Sequence, residues 1–315
     1  MSDKEWKKFY EENPPPKGLL EIKTMISNFC NYHVSMENNI VLITSGGTSV
    51  PLEHSTVRFV DNFSAGARGA SSAEYFLREG YAVIYMHREK ALEPFFRHIV
   101  PSELFDSSVP CKNNDGTNSI KVEGSVCDRL VPLLNEYKKI QEKRMLLKLQ
   151  FNTLSSYLHM LYIAAQAIRP LGKDVILYLA AAVSDFYIPA KDMAEHKISS
   201  DEPLNLTLRV VPKMLTPLVH HWIPEAFIVS FKLETDSSLL LKKARGALEK
   251  YGHNLVIANE LHKRKQEVVF VTKDEEKKIF LSNEELKSGK EIEEQIVKDL
   301  LCHYSKFKNQ IGDRK

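Results

Sequence analysis

Val41-Leu42-Ile43-Thr44-Ser45-Gly46-Gly47-Thr48, followed by Val57-Arg58-Phe59-Val60-Asp61-Asn62-Phe63-Ser64-Ala65-Gly66-Ala67-Arg68-Gly69, is the stretch from which this chain is best read. An apolar run suited to a buried strand breaks off at the small residues Ser45 to Thr48. A second small-residue cluster, Ser64-Ala65-Gly66, opens a segment of helical pattern. Two glycine-bearing turns beside one strand end bring backbone N–H groups close to a phosphate, because no Cβ blocks the approach. Arg58 and Asn62 lie between the turns and offer a charge and an amide to an anionic substrate. The spacing is neither the dinucleotide fingerprint nor the Walker loop.

Outward from this stretch, strand and helix patterns alternate. Gly18 to Met36 has helical spacing and precedes a strand at Ile40 to Thr44. Ala67 to Glu79 reads as a crossover helix stopped by Gly80, and Tyr81 to Met86 as the next strand, which makes a βαβ unit. Arg129 to Arg144 is a helix, Met145 to Phe151 a strand and Leu154 to Ile168 an amphipathic helix. Arg169-Pro170-Leu171-Gly172 is a turn, and Val175 to Val183 has the unbroken apolar character of a buried parallel strand. Leu204 to Val211 alternates like a strand, and Met214 to Trp222 reads as a short helix. Ala226 to Leu233, Ser237 to Tyr251 and Asn254 to Ala258 give strand, helix, strand. A hairpin at Glu267 to Thr272 and Lys278 to Leu281 and a final helix at Glu284 to Tyr304 close the chain.

The pattern predicts an α/β fold: a doubly wound, mostly parallel Rossmann-like sheet with helices on both faces and an antiparallel hairpin excursion. Residues 1–39 read as an N-terminal extension and helix. Residues 40–315 read as a single α/β domain, with 101–125, centred on Asn113 to Ser119, as a loose surface insertion.

Composition bounds the function. The 315 residues carry 43 basic and 41 acidic side chains, a net charge of +2, and 43% hydrophobic residues, the profile of a globular chain without a nucleic-acid surface. Cys30, Cys111, Cys127 and Cys302 form no C-x-x-C pair, which suits a reduced, intracellular setting. The N-terminal stretch has no apolar signal core, and the longest apolar run falls well short of the roughly 20 residues that span a membrane. The chain is expected to be soluble and cytoplasmic.

In a doubly wound sheet, ligands bind beyond the C-terminal ends of the strands. Small and polar residues gather at four such exits: Ser45-Gly46-Gly47, Ala181-Ala182 with Ser184-Asp185, Glu234-Thr235, and Asn259. Together they predict a binding cleft. Asp185 suits a helix cap as well as a substrate contact. Lys197, in a loop between Pro189 and Pro203, has on its own the character of a solvated surface lysine. Ser184, Tyr187 and Lys191 match the catalytic spacing of short-chain dehydrogenases, but Pro189 between them disfavours the required helix by about 3 kcal/mol. No metalloprotease or zinc spacing occurs among the 11 histidines.

Six blocks occur in order: I-T-S-G-G-T-x-V-P-L-E from Ile43, V-R-F-V-D-N-F-S-A-G-x-R-G from Val57, Y-L-A-A-A-V-S-D-F-Y from Tyr178, E-H-K-I from Glu195, V-P-K-M-L from Val211 and S-F-K-L-E-T-D from Ser230. The set resembles the phosphopantothenoylcysteine synthetases, from about Val41 to the terminal I-G-D-R at 311–314, and is most like their stand-alone, eukaryotic form. The resemblance implies a ligase of coenzyme A biosynthesis. It would join 4′-phosphopantothenate to L-cysteine through an acyl-nucleotidylate, with ATP (CTP in many bacterial relatives) and Mg²⁺, in a homodimer with shared sites.

Matched by motif, the resemblance implies that Gly46, Ser64, Gly66 and Gly69 line the triphosphate, and that Phe231 and Asn259 flank the base and ribose. It puts Asn62 at the activated acyl group, Ala181, Ala182 and Asp185 at the phosphopantothenate wall, and Lys197 at the phosphates during nucleotidyl transfer. Arg58 is implied to grip the substrate phosphate from the partner subunit, a task suited to a guanidinium fork. It assigns no metal ligand. The competing readings are an NAD(P)-dependent oxidoreductase and a non-catalytic nucleotide-binding module.

Overall fold

The apolar run after Asn39 becomes a strand buried along its whole length, β1 (Ile40–Ser45), with Val41, Leu42 and Ile43 fully inaccessible. A parallel strand covered by helices on both faces requires that continuous apolar character. The computed structural model describes residues 4–201 and 203–312, so Asp313 and Arg314 of the terminal I-G-D-R lie outside the described residues. The remaining strands are β2 (Ser49–Pro51), β3 (Phe59–Asp61), β4 (Ala82–Arg88), β5 (Ser108–Lys112), β6 (Asn118–Val122), β7 (Leu146–Phe151), β8 (Val175–Leu179), β9 (Phe186–Tyr187), β10 (Arg209–Val210), β11 (Phe227–Glu234), β12 (Leu255–Glu260), β13 (Glu267–Val271) and β14 (Glu276–Phe280).

Eight strands form one sheet in the order β14-β13-β12-β11-β8-β1-β4-β7. The six from β12 to β7 are parallel, and β13 and β14 add an antiparallel edge. The doubly wound expectation holds. From β1 the chain steps outward to β4 and β7, then returns to β8 on the other side of β1 and continues to β11 and β12. Right-handed crossovers reverse face when the direction of winding reverses, so helices cover both faces. The reversal places a crevice beyond the C-terminal ends of β1 and β8, the topological switch point. Among the described residues no helix is long and apolar enough to cross a membrane.

Several boundaries differ from the sequence reading. The insertion at 101–125 is at the surface, as expected, but it is not loose. It holds a short helix, Pro101–Asp106, and the hairpin β5–β6, and the following helix begins at Gly124 rather than Arg129. The polar cluster in its middle is turn chemistry: the Asp115 carboxylate accepts from the Thr117 amide at 2.9 Å, and the Asn113 amide donates to the Thr117 carbonyl at 2.9 Å.

The strand expected over Val175 to Val183 ends at Leu179, because apolar content does not distinguish strand residues from small loop residues. Of Leu204 to Val211 only Arg209–Val210 pairs, with Phe186–Tyr187. Met214 to Trp222 is an α-turn followed by a π-turn, and the final helix is two, Asn283–Lys287 and Ile292–Gly312. The dehydrogenase-like triplet is dismantled. Tyr187 is a buried strand residue edge-on to Phe9 at 5.0 Å, and Lys191 pairs with Glu12 at 3.7 Å.

Candidate active site

The loop after β1 and the first turn of helix Ala67–Arg78 meet at glycines. A Cβ on Gly69 would stand 2.5 Å from the Ser45 Cβ, and one on Gly47 would fall on the Asn62 carbonyl. Neither position admits any other residue without moving backbone. Gly66 caps the helix in the left-handed conformation, φ +79°, with no side-chain cap, and its carbonyl accepts from the Ser45 hydroxyl at 3.0 Å. The first amides of that helix therefore keep their hydrogen atoms for an external acceptor, with the positive end of the helix dipole behind them.

Two threonines staple the neighbouring loops to this turn. The Thr44 hydroxyl accepts from the Ala181 amide at 3.2 Å, and the Thr48 hydroxyl from the Ser184 amide at 2.9 Å. The Ala182 amide donates to the Gly46 carbonyl at 2.8 Å, the Thr48 amide to the Ala182 carbonyl at 3.1 Å, and the Asn62 amide to the Thr48 carbonyl at 3.1 Å. Gly46, Asn62, Ser64, Gly66, Gly69, Ala181 and Ala182 are thus brought to one cradle at the switch point. The cradle is made of backbone N–H and C=O groups with the Asn62 amide at its edge, so it can neutralise an anion and orient a carbonyl without a buried charge.

Phe231 stands on β11, edge-on to Tyr178 at 5.0 Å, on the strand beside β8. Asn259 ends β12. Its Nδ2 donates to the Lys232 carbonyl at 3.3 Å, while its buried Oδ1 has no hydrogen-bond partner. An unpaired buried acceptor costs about 1–3 kcal/mol, so this atom is suited to a donor that arrives with a ligand, such as a ribose hydroxyl or a base amine.

Three predicted residues stand apart from the cradle. Asp185 is exposed, and its carboxylate lies 3.4 Å from the Lys213 ammonium. It caps no helix; its carbonyl accepts from the Val211 amide at 2.8 Å. Lys197 is exposed and makes no ion pair among the described residues. Arg58 lies on the arm formed by β2 and β3. Its Nη1 donates to the Glu53 carboxylate at 3.1 Å and to the Ile198 carbonyl at 3.0 Å, the residue after Lys197. Arg58 and Lys197 are therefore neighbours through the backbone, although 139 residues separate them in the chain.

Thr44, Thr48 and Glu53 stand in the first of the six blocks, but the sequence reading assigns them no role. The available signal for the threonines was a hydroxyl on each side of the glycine pair, in T-S-G-G-T. Glu53 is completely buried. The Arg58 amide outweighs burial and, with the Val57 and Ile198 amides and the Arg58 guanidinium, holds its carboxyl below the ordinary value. Among the described residues no three His, Cys, Asp or Glu side chains converge to hold a metal ion.

The DNA/pantothenate metabolism flavoprotein C-terminal domain family matches residues 144–304. The phosphopantothenate–cysteine ligase of Homo sapiens is 44% identical over 96% of this chain and 97% of its own length. The Saccharomyces cerevisiae phosphopantothenate–cysteine ligase CAB2 is 39% identical over 96% of this chain and 87% of its own. The solved structure of a Cab2 mutant in complex with phosphopantothenate-cysteine superposes with a TM-score of 0.88 at 38% identity, covering 97% of this chain and 99% of that one. Identity of 39–44% along nearly the whole chain shows that the chain belongs to the phosphopantothenate–cysteine ligases, carbon–nitrogen ligases of coenzyme A biosynthesis.

Proposed function

We propose that this chain joins 4′-phosphopantothenate to L-cysteine in two steps at the cradle. A carboxylate oxygen attacks the α-phosphorus of the nucleotide, and the bond to pyrophosphate breaks. The cysteine amine then attacks the acyl carbon, the bond to the nucleotide oxygen breaks, the nitrogen loses a proton and the nucleoside monophosphate leaves. A carboxylate is a poor electrophile, and joining one of its own oxygens to the α-phosphorus makes that oxygen part of a phosphate leaving group, which removes the difficulty. The protein's part is positioning and charge neutralisation.

In this reading the triphosphate lies on Gly46, Ser64, Gly66 and Gly69, with Phe231 and Asn259 at the base and ribose. Asn62 donates to the acyl oxygen as charge builds there. Ala181, Ala182 and Asp185 line the phosphopantothenate wall, and Lys197 meets the phosphates during the first step. ATP is the proposed nucleotide, entering as its Mg²⁺ complex, and no step is assigned to a metal held by side chains. The protein is proposed to act in the cytoplasm, where the free thiols of Cys30, Cys111, Cys127 and Cys302 stay reduced.

A homodimer with shared sites completes the proposal. On the Arg58 arm, Val57, Phe59, Val60 and Phe63 are exposed, Phe63 at 91%, an apolar patch of the kind that marks an interface. Arg58 would reach the substrate phosphate of the partner's site from there.

The observation that carries this reading is the convergence of Gly47, Asn62, Gly66 and Ala182 through backbone contacts at the β1–β8 crevice. Incubation with ATP or CTP, phosphopantothenate and labelled cysteine tests it: repeated turnover to monophosphate and pyrophosphate should need both other substrates, and without cysteine pyrophosphate should stop at one equivalent per site. Binding without turnover, or turnover only with a nicotinamide, contradicts it. Mixed Arg58→Ala and Asn62→Ala protomers should recover part of the activity each lacks, and no recovery despite proven subunit exchange removes the shared site.

A further inference from the structure

Glu53 is a fully buried carboxylate on the arm side of the site, and its partners come from two segments far apart in sequence. From the arm it accepts from the Val57 amide at 3.2 Å, the Arg58 amide at 2.9 Å and the Arg58 Nη1 at 3.1 Å. From the loop that carries Lys197 it accepts the Ile198 amide at 3.5 Å, while Arg58 Nη1 donates back to the Ile198 carbonyl at 3.0 Å.

The backbone continues the seam. Glu53 bridges Ala194 in parallel register, the His54 amide donates to the Ala194 carbonyl at 2.8 Å and the Ser55 amide to the Glu195 carbonyl at 3.2 Å. The His54 ring lies 2.9 Å from the Ala190 carbonyl. Four donors on one carboxylate hold two backbones and one guanidinium in a single geometry, because a buried carboxylate left with fewer donors is strongly destabilised.

We infer that Glu53 is a positioning residue that locks the Arg58 arm and the Lys197 loop into one unit, so that the phosphate-gripping arginine and the nucleotidyl-transfer lysine are set together. The inference rests on the roles proposed above for Arg58 and Lys197; the lock itself does not. Neither residue needs to touch the other. Whatever orders the arm, including contact with a second subunit, also orders the loop, and an ordered loop presents Lys197 at a fixed place.

Glu53→Gln keeps the size but replaces one acceptor oxygen by an NH₂ group that faces donors. Hydrogen exchange on the unliganded protein reads the lock without any assay of activity. In the unaltered protein the bonded amides of the seam, those of His54, Ser55, Val57 and Arg58 on the arm and of Ile198 on the loop, should open as one unit with a common protection factor. In Glu53→Gln both segments should exchange at least about tenfold faster, the loss expected for hydrogen bonds to a charged group, with the central sheet unchanged. Steady-state kinetics should then show a fall in kcat with phosphopantothenate and nucleotide both saturating, while the KM for the nucleotide stays within about twofold.

Independent protection of the two segments in the unaltered protein overturns the inference even if the variant does not fold. So does a folded Glu53→Gln with unchanged exchange at the Ile198 amide, or one whose loop is loosened while kcat is retained. Coupled opening in a protein that forms no monophosphate from these substrates leaves the lock in place and defeats the functional reading instead.

Discussion

The cradle and the arm–loop unit meet anions by opposite means. The cradle is backbone: Gly47, Gly66 and Gly69 present no side chain, and their places are fixed by contacts with Ser45 and Asn62. The arm and loop present charged side chains, Arg58 and an exposed Lys197, placed by one buried carboxylate that reaches across 145 residues of sequence. A backbone site is rigid because the sheet that carries it is rigid. A side-chain site on an arm and a loop is only as rigid as the tie between them. In the reaction proposed above, the permanently charged triphosphate falls to the rigid element and the moving parts of the reaction to the adjustable one.

The largest effect should come from filling the cradle. Gly47→Ala puts a methyl group onto the Asn62 carbonyl and should abolish turnover and destabilise the fold by about 1–3 kcal/mol or more, read by urea unfolding and product formation. If this variant binds nucleotide normally, the cradle is not a backbone site and the contrast with the arm fails.

Asn62→Ala removes a donor at the cradle's edge without filling space. It should lower kcat by roughly 10²–10³-fold, as for loss of one oxyanion donor, with stability within about 1 kcal/mol. Unaltered turnover ends its catalytic role.

The cradle's floor can be weakened by acid. Glu74, on the same helix, is fully buried, which pushes its carboxyl up, but hydrogen bonds from His98 and Arg97 and the Arg97 charge outweigh burial and hold it at about 2, below its ordinary 4.5. Because the folded value is depressed, its contribution is complete above about pH 4.5 and is lost as pH falls toward about 2. Between about pH 6 and pH 3 this amounts to about 2 kcal/mol. Urea unfolding at the two pH values should show that much less acid sensitivity in Glu74→Gln than in the unaltered protein. Equal sensitivity would assign the acid response to other carboxylates.

The smallest change is expected at the loop. Lys197→Ala should leave stability within about 0.5 kcal/mol, since the exposed side chain pairs with nothing among the described residues. Its kcat should fall by about tenfold through loss of charge near the phosphates. A change in unfolding free energy with intact turnover would reverse the contrast, making the loop structural and the cradle sufficient.

The same contrast explains what was legible in the sequence. The cradle could be read because small residues at strand ends carry their reason locally: Gly46, Gly66 and Gly69 lie where a turn or close approach demands them, and β1 shows its burial in its own residues. The doubly wound order followed from alternating strand and helix patterns. The insertion at 101–125 was misjudged because Asn, Asp and Gly favour tight turns as readily as loose loops, and only the pairing of Val109 with Lys121 shows which. Strand β8 was read too long because Ala180 to Ala182 are as apolar as strand residues yet leave the sheet to meet Gly46 and Thr48. Glu53 closes the first of the six blocks, but nothing local tells what it binds. A glutamate after Pro51-Leu52 has the character of a surface residue until the fold brings Ile198 to it.

Transfer of oxygen from substrate to nucleotide tests the central claim most directly. With ¹⁸O in both carboxylate oxygens of phosphopantothenate, one turnover in the presence of ATP and cysteine should place one ¹⁸O in AMP and none in pyrophosphate, the other remaining in the new amide. Unlabelled AMP, or label in inorganic phosphate released with ADP, would contradict attack at the α-phosphorus and with it the acyl-nucleotidylate this site is proposed to hold.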